Sequence, residues 1–151
     1  MIYNSRRVLF VLIVLGIVLA GVLTACSGNA VLTGDTGLTM AAMAGMPDDV
    51  KSAPTSVQQA YRFVVANPDV MKQIPCYCGC GSMGHTSNYS CYVQSVEDKG
   101  IIAYDTHALG CSICVDITQD TIRLLQQGKT VPEIKAAVDQ TYSQYGPSNI
   151  P

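Results

Sequence analysis

The stretch PCYCGCG, residues 75–81, sets Cys76, Cys78 and Cys80 inside five residues, with a proline before them and glycines among and after them. Cysteines on a one-residue spacer do not readily reach disulfide geometry with each other. If all six cysteines from Cys76 onward pair, each of these three must find Cys91, Cys111 or Cys114. Three bridges leaving one short stretch crowd each other. Pro75 ends any helix that precedes it, and from there to about Cys114 the apolar periodicity is weak and glycines are frequent. The cysteines must organise this segment, and three chemistries are open to them.

One is a disulfide framework, the default for an even count of cysteines outside the cytosol, giving a stapled structural module. A second is a metal site. Thiolates turned by Gly79 and Gly81 can converge on a soft ion, and Cys111 and Cys114, a Cys-x-x-Cys at a helix start, supply two more. If helical winding runs back through Gly110, His107 shares a face with both, at offsets of four and three. His85, in GSMGHTSN, lacks such a spacing and stands below His107. Six thiols and His107 exceed one tetrahedral zinc, while a small Cu(I) cluster uses most of them; hard ions such as Ca(II) and Mg(II) are disfavoured. Asp105 and Asp116 are either orienting carboxylates or solvated ones. The third chemistry is thiol–disulfide exchange at Cys111 and Cys114, since a helix N-terminus favours the Cys111 thiolate. The strand–helix–strand surroundings that strengthen such a pair are missing.

The N-terminus sets the compartment. After MIYNSRR comes VLFVLIVLGIVLAGV, apolar and uncharged, the pattern of an export signal, and then LTAC. That tetrapeptide resembles the lipobox of bacterial lipoproteins, which implies cleavage before Cys26 and lipid on its sulfur. An uncleaved anchor over residues 8–25 is the alternative. Either way the rest of the chain is expected on the extracytoplasmic face of the cell membrane. Without residues 1–25, seven Lys and Arg stand against eleven Asp and Glu, so no basic stripe is left for nucleic acid.

Residues 26–54 read as a flexible tether, in which Met40, Met43 and Met46 are either soft donors for Cu(I) or small apolar contacts. The domain is expected over 55–147, mainly α, with about four helices around the cysteine-rich loop. TSVQQAYRFVVANP places Val57, Tyr61, Val64 and Val65 on one face, with Thr55 and Gln58 in capping-box spacing. PDVMKQI adds a short turn, and IIAY at 101–104 is a strand or a buried turn. CSICVDITQDTIRLLQQGK sets Ile113, Ile117, Leu124 and Leu125 on one side and stops at Gly128; TVPEIKAAVDQTYSQYG opens on Thr130 and Glu133 and buries Ile134, Val138, Tyr142 and Tyr145.

Taken in order, IPCYCGCGSMGHTSNYSCYV, DTHALGCSICVDI and GKTVPEIKAAVDQTYSQYG resemble the bacterial family named for its PCYCGC motif, over about Met46–Gly146. The resemblance implies an exported lipoprotein and groups Cys76, Cys78, Cys80, Cys91, His107, Cys111 and Cys114 as one constellation; it assigns no catalytic residue. A looser similarity, over residues 111–146, is to the thiol-reducing subunit of the cytochrome c maturation system. It lacks the expected Arg and Pro around the cysteine pair. The expectation is a lipid-anchored protein binding copper first or zinc second through clustered cysteines, for storage or delivery, with a metal-accepting or metal-donating protein as partner. No acid–base pair supports hydrolytic chemistry, and the competing enzyme reading is thiol–disulfide exchange.

Overall fold

Apolar residues recurring at helical spacing bury one face of each long helix, and the computed structural model, which describes residues 37–150, has three such faces meeting in one core. The apolar leader, Cys26 and the first part of the expected tether lie outside the described residues. Among the described residues six α-helices accompany one two-stranded sheet: α1 (Asp48–Ser52), α2 (Thr55–Ala66), α3 (Pro68–Met71), β1 (Val93–Val96), β2 (Ile102–Tyr104), α4 (His107–Gly110), α5 (Ser112–Gln126) and α6 (Val131–Tyr142). No helix among them is long and apolar enough to cross a membrane.

Helix α5 is central, packing on α2 and α6. From α2 come Val57, Ala60, Tyr61, Phe63 and Val64. Val65 is only partly buried, because the face rotates to put the bulkier Phe63 inward. On α5 the buried face is Cys114, Val115, Ile117, Thr118, Thr121 and Ile122, while Ile113, Leu124 and Leu125 pack at its margin. Two threonines are tolerated there because each hydroxyl returns a hydrogen bond to the carbonyl four residues back, Thr118 to Cys114 at 3.0 Å and Thr121 to Ile117 at 2.8 Å. Helix α6 buries Ile134, Val138 and Tyr142. Tyr145 falls in a 3₁₀ turn beyond the helix end and is exposed, against expectation.

The helix ends follow local chemistry. Thr130 and Glu133 form both halves of a capping box on α6. Gly128, left-handed at φ 76°, closes α5: its N–H donates to Leu125 and that of Lys129 to Leu124, the paired bonds of a Schellman stop. Thr55 does not cap α2; it is the first helical residue, after Pro54. Gln58, its expected partner, instead donates through Nε2 to the carbonyls of Lys51 and Ala53, tying α1 to α2. The patch at 101–104 is a strand, paired antiparallel with β1 in the register Val93 to Tyr104 and Val96 to Ile102.

Residues 38–53 do not hang free. Met46 and Val50 are 3% and 1% exposed, and Leu38, Met40, Ala41 and Met43 pack against the same core. Ala41 exchanges backbone and side-chain hydrogen bonds with Arg62, and the Asn67 amide donates to the Thr39 carbonyl. The described part of the expected tether is thus docked on α2, and its methionines serve as packing. Met46→Ala should therefore cost about 2–5 kcal/mol in urea denaturation, as truncations of buried methionine do; an unchanged midpoint would mean that this segment carries no stability.

Candidate metal centre

The cysteine-rich segment turns where glycine permits. Gly79 is left-handed, φ 82°, so the chain reverses after Cys78 and Cys80 opens a 3₁₀ turn, Cys80–Met83. Tyr77, the spacer between Cys76 and Cys78, donates to Asp139 Oδ1 of α6 at 2.6 Å. A second left-handed glycine, Gly84 at φ 90°, brings His85 back beneath this turn, where its N–H donates to the Cys80 carbonyl. The Asn88 N–H donates to the Ile74 carbonyl at 2.8 Å, closing the loop just ahead of Cys76, and Cys91 follows in the turn Tyr89–Cys91.

On the other side stand α4 and α5. His107 begins α4, its N–H donating to Asp105 Oδ1 at 2.7 Å. Cys111 is extended, φ −117° and ψ 100°, and caps α5. The continuous helical face expected for His107, Cys111 and Cys114 is therefore broken at Cys111. The three side chains converge even so: Cys78, His107, Cys111 and Cys114 place one donor atom each within 4.8 Å of one another.

Three further groups satisfy the same test: Cys80, His85, Cys91 and His107; Cys76, Cys78 and Cys80; and Cys76, Cys91 and Cys114. The Cys76 sulfur lies 3.4 Å from those of both Cys78 and Cys114; Cys78 and Cys114 are 3.6 Å apart, as are Cys80 and Cys91. His107 Nε2 is 3.4 Å from the Cys78 sulfur. All six cysteines are free thiols, so the structure holds no disulfide staple among the described residues. Cys76, Cys80, Cys91 and Cys114 are buried; Cys78, Cys111 and His107 are partly exposed.

Hydrogen bonds that the sequence gives no hint of fix this arrangement. Asn149, near the C-terminus, accepts from the Cys76 N–H at 2.7 Å through Oδ1 and offers Nδ2 to the Cys80 sulfur at 3.5 Å; its own N–H donates to the Cys76 carbonyl at 3.2 Å. Gly146 allows that approach, because a Cβ there would stand 2.8 Å from the Tyr77 carbonyl oxygen. Beneath Cys114 lies a buried polar platform. The Cys114 carbonyl receives the Tyr92 hydroxyl at 2.9 Å and the Asn88 amide at 3.3 Å, and the Thr118 hydroxyl oxygen stands 2.9 Å from Asn88 Oδ1.

The thiols ionise as a set. Donation from Cys114, foremost among several thiol contacts, draws Cys80 well below the ordinary thiol range and Cys76 down to about 7. Sharing its proton with Cys76 first, then with Cys80, pushes Cys114 up. Burial, then the neighbouring Cys80, pushes Cys78 up. The buried thiols thus divide, Cys76 and Cys80 drawn towards the thiolate, the form that binds soft metals, and Cys91 and Cys114 held towards the neutral thiol.

Every residue of the constellation read from the sequence, Cys76, Cys78, Cys80, Cys91, His107, Cys111 and Cys114, lies in this cluster, whereas Asp116 lines a cavity beside it. His85 belongs to it too, although no cysteine spacing marked it. Asp105 meets both histidines, holding the His107 N–H and standing 3.3 Å from His85 Nε2 through Oδ2. A small helical domain wrapped around clustered Cys and His, able to hold a metal ion, is the class of protein that fold and site define. The chain belongs to the family described as protein of unknown function with PCYCGC motif, whose profile matches residues 11–151. No curated protein and no solved structure matches it, so nothing carries the looser likeness to the cytochrome c maturation subunit.

Asn149→Ala orphans the buried-side N–H of Cys76, which should cost about 1–3 kcal/mol in urea denaturation. Thr141→Ala, whose exposed hydroxyl bonds to the Ala137 carbonyl of its own helix, should cost under about 0.5 kcal/mol. Equal effects would remove Asn149 as the clamp on the cysteine loop.

Proposed function

We propose that this protein takes up a soft metal ion, copper in first place and zinc in second, on its clustered cysteines and histidine, for storage or delivery. Lipid on Cys26 would hold it on the extracytoplasmic face of the cell membrane, with a metal-donating or metal-accepting protein as partner. The observation that carries this reading is the convergence of Cys78, His107, Cys111 and Cys114, from the loop, α4 and α5, with every thiol unpaired. Sulfurs around one tetrahedral ion at a metal–sulfur distance of about 2.3 Å stand about 3.8 Å apart. The 3.6 Å between the Cys78 and Cys114 sulfurs lies within a small adjustment of that value.

Three thiolates and an imidazole are a zinc set. Copper(I) is put first because the donors are mostly thiolate, with six cysteines against two histidines in the cluster. The residues' own part is to give up thiol protons on uptake and to exclude water at the buried end. Exchange with a partner runs through the partly exposed Cys78, Cys111 and His107. A second reading, thiol–disulfide exchange at Cys111 and Cys114, draws on one observation: Cys111 opens onto a cavity of about 310 Å³ lined also by Val57, Leu109 and Val115.

Elemental analysis separates the two. Protein purified without added metal or reductant should carry copper or zinc, and Cys78→Ala should lower its content at least tenfold. Under exchange chemistry, metal would be absent and thiol titration would find a reversible 111–114 bridge indifferent to Cys78→Ala. For the anchor, labelled palmitate should enter the wild-type chain and not Cys26→Ala; no label in either would overturn the lipidation.

A further inference from the structure

A four-coordinate ion uses four donors, and the knot holds eight. The two quartets, Cys78–His107–Cys111–Cys114 and Cys80–His85–Cys91–His107, have only His107 in common. A neutral imidazole serves one ion at a time, so two occupied quartets need one further donor. Cys76 is placed to be it. Its sulfur shares one trio with Cys78 and Cys80 and another with Cys91 and Cys114, so it reaches two sulfurs of each quartet.

His85 supplies the second observation. His85 is 8% exposed, its Nε2 is 3.3 Å from Asp105 Oδ2, and its Nδ1 is buried with no hydrogen-bond partner among the described residues. A buried ring nitrogen left without a partner is costly. With the Nε2 proton directed at Asp105, Nδ1 is left with the lone pair, and His85 shares a quartet with Cys80 and Cys91. That is the carboxylate–histidine–metal arrangement, in which the outer carboxylate fixes the tautomer and the ring angle. The two imidazole rings meet edge to face, centroids 5.2 Å apart, and do not stack.

We propose that the knot is a two-ion centre. One ion sits on Cys78, His107, Cys111 and Cys114, the other on Cys80, His85 through Nδ1, Cys91 and the Cys76 thiolate, so that each ion has four donors. The inference rests on the metal-binding reading above and adds to it a second, more deeply buried position.

The test is a Zn(II) titration of the metal-free full chain in detergent, with bound ions counted by native mass spectrometry and helicity checked by far-ultraviolet circular dichroism. The wild type should bind two ions. His85→Ala/Cys91→Ala strips the inner quartet, His107→Ala/Cys111→Ala strips the outer one, and each should bind one. A wild type that binds one ion, lost in the outer-quartet variant and kept in the inner one, overturns the second site and leaves the metal-binding reading standing. No bound ion in the wild type brings down both. Should a double variant fail to fold, the wild-type count alone decides between one ion and two.

Discussion

The structure turns on how the first turn of α5 is seated. Cys114 lies there, fully buried, with its sulfur in the thiol knot and its carbonyl on the platform of Tyr92, Asn88 and Thr118. Core and site therefore meet in one residue. The packing of α5 between α2 and α6 fixes where that turn stands, and the loop carrying Cys76, Cys78 and Cys80 is then drawn onto it by Asn88 from one side and Asn149 from the other. Sulfurs with no covalent link stay within van der Waals reach because the backbone leaves them nowhere else to go.

This division of labour explains which parts were readable in the sequence. Helices α2, α5 and α6 announce themselves by apolar spacing, and Gly128, Thr130 and Glu133 mark their ends through short-range hydrogen bonding. The cysteine constellation was legible for a similar reason: one-residue spacers forbid local disulfides, and few chemistries want so many thiols. What escaped depends on contacts between residues far apart in the chain. Asn149 reaches Cys76 across 73 positions, and no local pattern distinguishes it from any other polar residue near a chain end. His85 joins the cluster only because two left-handed glycines fold its loop back. Residues 38–53 looked like a linker because their apolar residues are small and irregularly spaced, yet Met46 and Val50 fill gaps beside α2 that only the folded surface defines. Thr118 and Thr121 hid the true buried face of α5, since a threonine whose hydroxyl bonds to its own helix behaves in a core as an apolar residue does.

Electrostatics and packing act in the same direction at the knot. A buried lone thiol stays protonated and inert, because burial penalises its anion. Here neighbouring thiols supply the hydrogen bonds that water would otherwise give, so Cys76 and Cys80 are held towards the anion in a place with no solvent. Cys91 and Cys114 keep their own protons. Crowding sulfur thus divides the buried thiols into two that ionise readily and two that do not.

The uneven burial of the donors also gives the knot a front and a back. Cys78, Cys111 and His107 are partly exposed, while Cys76, Cys80, Cys91 and Cys114 are buried. An oxidant, an alkylating agent or an ion arriving from solvent therefore meets the same three side chains before the four behind them.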